Sequence, residues 1–260
     1  MSSADADDWA ADDERWFDVR SLSLTYRTGH RIGAHAHDWH QLVHARSGVM
    51  RVMAQDRVWL VPPTRAIWAP AGVVHQFVVK GEVTFRTLYL APDIVVAKGL
   101  TGLEVSPLLT ELIDHIARIG MLDRRVAEHV HLKAVLIDLL DAAPANDLSL
   151  PLPRDARARR LADRLQADPA DRTDLQRLAA DAGASVRTLQ RCFSRETGLS
   201  LDAWRQKARL IASTAALAAG VSVTEAAFAC GYSSPSAFIA AFGRLFGATP
   251  GQFIGQPWSH

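Results

Sequence analysis

Three histidines pose the first chemical question. His35-x-His37 is followed by Gln41, and Pro70-Ala-Gly72-Val-Val leads into His75. On a strand, residues i and i+2 point the same way. His35 and His37 therefore converge, and a neighbouring strand can bring His75 to them. Three imidazoles and one oxygen ligand, the Gln41 amide, suit Zn, Ni, Mn or Fe. The same histidines can instead hydrogen-bond or touch an effector without any metal. Trp39, Arg65, Trp59 and Trp68 lie near the same turns. An Arg beside aromatic rings suits an anionic or aromatic effector, so Trp39, Arg65 and Trp68 are pocket candidates. Ordinary packing is the alternative for each Trp. His40 and His44 are read as bystanders.

A second constellation lies far along the chain. After Gly183, Leu189, Cys192 and Phe193 take one side of a helix, and Arg187, Gln190, Arg191 and Ser194 take the other. Arg pairs bidentately with guanine and Gln with adenine in the major groove. A helix that reads DNA carries such long donors on the face away from its core. Ser185 and the free N–H groups at the helix start suit a phosphate. The plain alternative is a solvated helix face.

The elements that must position these residues are of two kinds. From Trp16 to about Leu90 the apolar pattern has period two, with turn punctuation at Thr28-Gly29, Ser47-Gly48, Gln55-Asp56, Pro62-Pro63, Ala71-Gly72 and Lys80-Gly81. Short strands so spaced predict an antiparallel sandwich or barrel. From Ser106 to Ala143 the period becomes helical. Leu108, Leu109, Leu112, Ile113 and Ile116 mark one helix; Val126, Val130, Ala134, Ile137 and Leu140 mark another. The proline-rich stretch 144–153 reads as a linker.

From Arg154 onward everything reads as helix. Thr173-Asp-Leu-Gln176 and Ser222-Val-Thr-Glu225 look like capping boxes. Gly183 and Gly231 make matching turns, and Ser234-Pro235 opens a last helix with Phe238, Ala241, Phe242 and Leu245 inward. This is helix-turn-helix twice, joined by a helix from Leu201 to about Ala219. The outward positions of the second unit, Ser236, Ala237, Ala240 and Arg244, are mostly small. They suit backbone contact, thymine-methyl packing or a shape role. Arg205, Lys207 and Arg209 on the joining helix are phosphate candidates or a solvated basic face.

Composition narrows the classes. The 260 residues are 48% hydrophobic and 22% charged, a globular profile. No apolar run approaches the ~18–20 residues of a membrane span. The polar, acidic start, 1–14, reads as a mobile tail and not a signal peptide. Two cysteines, Cys192 and Cys230, suggest a reducing, cytoplasmic setting. Net charge is −4 over 1–153 and +5 over 154–260. A basic half behind an acidic one points to a nucleic-acid-binding module with something else in front.

The C-terminal hundred residues resemble the AraC/XylS-type transcriptional regulators. The resemblance rests on Leu178-Ala-Ala-Asp-Ala-Gly-Ala-Ser185, Ser185-Val-Arg-Thr-Leu-Gln-Arg-Cys-Phe193, Thr197-Gly198-Leu-Ser200 and Arg209-Leu210. It continues through Ala226-Ala-Phe-Ala-Cys-Gly-Tyr232, Ser236-Ala-Phe238, Phe242 and Phe246-Gly-Ala-Thr-Pro250. It implies a seven-helix domain with two major-groove helices and base contacts at Arg187, Gln190 and Arg191. One departure is Ala240, where the family pattern Ser-x-Phe-x-Arg-x-Phe has arginine.

The histidine pattern resembles the two motifs of the cupin barrel, where Gln41 takes the place of a usual Glu. A neutral amide is a weaker ligand for a hard cation. Regulators of this family often carry a cupin-like sensor in front, and helices like 106–143 commonly carry a homodimer contact. Packing back on the barrel is the alternative.

The expected fold class is thus α+β. Its parts are an acidic tail (1–14), a cupin-like effector-binding barrel (15–100) and a helical segment (101–143). A linker (144–153) and a double helix-turn-helix domain (154–254) follow. The expected function is a non-enzymatic, ligand-responsive regulator. Its DNA-binding residues would be Ser185, Arg187, Gln190, Arg191, Ser194, Ser236, Ala237 and Ala240. Its metal site would be His35, His37, Gln41 and His75. Double-stranded DNA, a small-molecule or metal effector, a second copy of the chain and, for an activator, RNA polymerase are the expected partners; a membrane is not. No cofactor is required; a divalent metal (Zn, Ni, Mn or Fe) in the barrel is the one candidate. The competing reading is a metal-dependent cupin enzyme with a helical appendage.

Overall fold

The computed structural model describes residues 14–27, 29–79, 81–145 and 148–254. Apart from Glu14, the expected acidic tail lies outside these. The chain divides into two compact units, residues 1–55 with 59–148 and residues 56–58 with 149–260.

The first unit is built from β1 (Phe17–Tyr26), β2 (Arg31–His35), β3 (His40–Ser47), β4 (Met50–Ala54), β5 (Arg57–Val61), β6 (Arg65–Ala69), β7 (His75–Val79) and β8 (Val83–Leu90). β9 (Thr101–Glu104), α1 (Pro107–Ile119), β10 (Met121–Asp123) and α2 (Ala127–Ala142) follow. One sheet has the order β10-β1-β8-β3-β6-β9, and β5-β4-β7-β2 line up in another. Val43, Ile67 and Phe85 of the first share one core with Val52, Trp59 and Phe77 of the second. The sheets therefore pack face to face. They make a cupin-like arrangement of two sheets, and not a closed barrel. Gly48 turns β3 into β4 at φ +77, and a Cβ there would meet the Glu82 carbonyl oxygen at 2.2 Å. Only glycine fits that corner.

The outer face of the six-stranded sheet carries a second core. Leu42, Trp68, Leu88 and Leu90 meet Leu109, Ile113 and Ile116 of α1 and Leu136 and Leu140 of α2. The helices thus pack back on the sheet. Segment 101–143 is also not purely helical, because β9 and β10 supply the two edges of that sheet. The expected stripe of α2 needs correction. Val126, Val130 and Ala134 are exposed, and Leu136 and Leu140 are the buried positions. The helix is apolar on several sides, so periodicity alone does not select the face.

The second unit is helical: α3 (Ala156–Ala167), α4 (Leu175–Asp181), α5 (Val186–Thr197), α6 (Leu201–Ala218), α7 (Val223–Ala229), α8 (Pro235–Phe246) and α9 (Pro250–Ile254). It opens with a strand inside the stretch expected as linker, β11 (Ser149–Pro151). Trp204 Nε1 donates to the Pro151 carbonyl at 2.6 Å, and Leu150 and Leu152 are buried. Alternating leucines, not prolines, decide that segment. Apolar spacing and caps explain the helices. Ser222 and Glu225 form the expected capping box. α4 differs: Asp174 is its cap, accepting from the N–H groups of Gln176 and Arg177. Thr173 is occupied elsewhere, accepting from Arg164 Nη2 at 3.2 Å.

Candidate functional site

The three histidines converge. β2 and β7 are antiparallel neighbours, and His35 stands opposite His75 in their register. His37 follows in the connection to β3, where its carbonyl accepts from the Gly72 N–H at 2.9 Å. That bond ties the two histidine-bearing segments together. Ring centroids are 4.6 Å apart for His35 and His75, 5.2 Å for His37 and His75, and 5.9 Å for His35 and His37. One ligand nitrogen from each ring lies within 4.8 Å of the others.

Each Nδ1 is spent on the backbone. His35 Nδ1 donates to Gly33 O at 2.9 Å, His37 Nδ1 to Trp39 O at 2.7 Å and His75 Nδ1 to Val73 O at 2.8 Å. A carbonyl only accepts, so each Nδ1 carries the proton and Nε2 keeps its lone pair in the neutral ring. Burial pushes His75 down to about 4, against the pull of the Val73 carbonyl and with help from the two neighbouring imidazoles. It is neutral at physiological pH. Its Nε2 is buried without a hydrogen-bond partner among the described residues. His37 Nε2 faces Gln41 Oε1 at 3.2 Å. Two lone pairs in contact repel, unless the amide turns its NH2 inward or a cation sits between them.

Gln41 is buried on β3, between Ala69 and Tyr89 in register. Tyr89 and Phe77 wall the cluster: the Tyr89 ring stands 5.2 Å from His37 and the Phe77 ring 5.2 Å from His75. The sequence reading missed both. Strand pairing places them there, and only the parity they share with Gln41 and His75 hints at it.

The expected pocket of Trp39, Arg65 and Trp68 is not assembled. Trp68 is buried among the residues facing α1 and α2, with Trp39 packed against the same cluster. Arg65 lies three residues before Trp68 on one strand, so the two point to opposite faces. Arg65 pairs with Glu104 at 3.1 Å. Trp39 takes the Arg20 guanidinium over its ring at 4.3 Å. His40 is structural: its Nδ1 accepts from the Ala71 N–H at 3.0 Å and its ring stacks on Trp68. His44 is buried and donates through Nε2 to Pro63 O at 2.8 Å.

In the second unit, Gly183 adopts φ +73 between α4 and α5. Arg160 Nη2 fixes the turn by donating to Ala182 O at 2.8 Å. Ser185 caps α5, accepting from the Thr188 N–H at 3.2 Å. Leu189, Cys192 and Phe193 are buried, and Phe193 meets Trp204 edge-on at 5.1 Å. Ser185, Arg187, Gln190, Arg191 and Ser194 are all exposed. Among the described residues, Arg187 and Arg191 form no ion pair, so their guanidinium forks are available. α8 repeats the plan, with Ser234 as cap and Phe238, Ala241 and Phe242 buried. Ser236, Ala237 and Ala240 are exposed. Arg205 and Arg209 are not phosphate donors in waiting. Arg205 donates to Asp171 O, and Arg209 to Pro169 O at 2.8 Å, which tethers the loop before α4.

No helix of the described residues is long and apolar enough to cross a membrane. Residues 22–162 match the family described as AraC-like ligand binding domain, and residues 178–256 match a helix-turn-helix domain family. The HTH-type transcriptional regulator NimR of Escherichia coli is 32% identical over 223 residues, covering 85% of this chain and 82% of NimR. RipA of Corynebacterium glutamicum is 40% identical over 103 residues, covering 40% of this chain and 31% of RipA. Among solved structures, fatty-acid-bound ToxT of Vibrio cholerae aligns over 91% of this chain and 95% of its own, at 10% identity and a TM-score of 0.39. The DNA-binding domain of AdpA with a target DNA aligns over 38% of this chain and 91% of its own, at 28% identity and a TM-score of 0.36. The chain belongs to the AraC family of transcriptional regulators, with a ligand-binding domain in front of a DNA-binding helix-turn-helix domain.

Proposed function

We propose that the His35–His37–His75 cluster, with Gln41, is the sensing centre of this regulator and that it holds a divalent metal. The observation that carries this is the common use of Nδ1. All three rings spend that nitrogen on a backbone carbonyl, the arrangement metal-binding histidines adopt, and so free Nε2. The donor set fits a borderline ion such as Zn or Ni better than the harder Mn or Fe, because nitrogen outweighs oxygen and no carboxylate is present. Such an ion would supply Lewis acidity there. The four protein ligands are neutral, so they leave its charge unbalanced, which favours an anionic donor as the effector. Tyr89 and Phe77 would flank that donor.

DNA reading falls to Arg187, Gln190, Arg191 and Ser194 on α5, with Ser185 at the phosphate. Ser236, Ala237 and Ala240 on α8 make closer, smaller contacts. The regulator acts in the cytoplasm as a homodimer on double-stranded DNA, with RNA polymerase as its partner if it activates. The exposed Val126, Val130 and Ala134 of α2 support a second copy of the chain as the cover of that face.

The experiment is metal titration of the full chain after chelator treatment, followed by elemental analysis. One Zn or Ni per chain in the wild type, lost in His35→Ala and His75→Ala and kept in His40→Ala, is the expected result. Equal metal content in all four proteins would overturn it.

A further inference from the structure

The two DNA-facing helices are built on one plan and carry different chemistry. Both have twelve residues, a serine cap accepting from the third following N–H, and a left-handed glycine cap, Gly198 at φ 72 and Gly247 at φ 71. Laying Ser185 on Ser234 and Gly198 on Gly247 equates Leu189, Cys192 and Phe193 with Phe238, Ala241 and Phe242. All six are buried. The same overlay equates Arg187, Gln190 and Arg191 with Ser236, Ile239 and Ala240, and all six of these are exposed. Ile239 is 40% exposed. It occupies the place of the glutamine in the first unit, and it cannot donate or accept a hydrogen bond.

We infer that Ile239 is a specificity-determining residue that reads a thymine by its 5-methyl group. The inference rests on α8 lying in the major groove. Thymine alone presents a methyl group there, and an apolar side chain against it makes a favourable contact. Against any other base edge, Ile239 would cover polar groups without satisfying them, which costs binding free energy. Ala237 and Ala240 flank it and let the helix approach closely. α8 has no acidic residue, and its only basic one, Arg244, lies near its end. The operator is therefore read by two chemistries. Hydrogen-bond donors on α5 select purines, and the apolar face of α8 selects A·T pairs with the methyl turned toward it.

The test uses the full-length protein and an operator that it selects itself from a random duplex library. Each thymine of the selected site is replaced in turn by deoxyuridine, which deletes only the methyl. In the segment facing α8, at least one replacement weakens wild-type binding by about fourfold, the value of one buried methyl. Ile239→Ala binds the thymine operator more weakly and no longer responds to that replacement. A wild type indifferent to every uracil, or an Ile239→Ala protein still fully sensitive, overturns the inference.

Ala240→Asp separates this from failure of the groove assignment. A carboxylate at that exposed position abolishes specific binding if α8 faces DNA. Unchanged binding by Ala240→Asp removes α8 from the groove and the inference with it. Loss of binding by Ala240→Asp together with silent uracils leaves α8 in place and refutes Ile239 alone. The uracil series needs no variant, so it does not depend on how any substitution folds.

Discussion

His35 and His75 face one another across the β2–β7 ladder, with ring centroids 4.6 Å apart. The ladder, not a flexible loop, sets their separation. Each ring is also locked by a carbonyl two residues before it in the chain, Gly33 for His35 and Val73 for His75. The backbone thus orients both rings.

Gln41→Glu adds the missing carboxylate beside His37. It raises affinity for Mn by about tenfold or more, the scale on which changes around a ligand set act, and narrows the preference for Zn or Ni. Competitive titration with a chromogenic chelator measures both. An unchanged order of metals would place Gln41 outside the ligand set.

Arg191→Ala costs ~1–3 kcal/mol at the selected operator and relaxes base choice at one position. Arg177→Ala on α4 is the control, because Arg177 is engaged with Asp181 at 3.3 Å. Fluorescence anisotropy on matched and mismatched duplexes reads the difference. Equal effects of both variants would deny Arg191 a base contact.

Trp204 is fully buried, bonded to Pro151 O and packed on Phe193 of α5. Trp204→Phe keeps most of the packing and loses the hydrogen bond, costing roughly 0.5–1.5 kcal/mol, with more if the Pro151 carbonyl is left dry. Trp204→Ala opens a cavity and costs about 3–5 kcal/mol. Denaturant unfolding should rank the two so, and DNA affinity should fall with the Ala variant because α5 loses its support.

Asp171 gives the helical unit an acid-sensitive knot. Its bonds to Thr173 and then to Arg164 hold its carboxyl down to about 2. A depressed carboxyl stabilises the fold fully above its unfolded value of ~3.9 and loses that contribution as pH falls toward 2. Wild-type stability should therefore drop steeply between about pH 4 and 2. Asp171→Asn should show a shallower drop there. Parallel acid-unfolding curves for the two proteins would show that the knot does not contribute.

The sequence shows the caps and turns plainly where a side chain acts on its own backbone, as at Ser185, Ser222, Gly183 and Gly231. It also brings His35 and His75 together through one neighbouring strand, whereas His37 lies past the end of β2 and joins them from the connection, held by its carbonyl bond to the Gly72 N–H rather than by strand parity. What it hides depends on contacts between distant segments. The inward face of α2 is chosen by the sheet it meets, since Val130 and Leu136 are equally apolar. Arg65 and Trp68 look like neighbours in sequence, yet the pleat of β6 sends them to opposite sides. Asp174 displaces Thr173 as cap because Arg164 reaches Thr173 from another helix. Tyr89 joins the histidines through its pairing with Gln41, a partner far away in the chain.

The central claim is that a ligand at the histidine cluster changes DNA binding by the helical domain. The most direct measurement is operator affinity of the full chain with and without Zn or Ni, for wild type and His75→Ala, against random DNA. The expected result is operator binding ~10³-fold or more above random DNA. That affinity shifts on adding metal to the wild type and stays fixed in His75→Ala. Tight, specific binding that no metal alters in the wild type would contradict it.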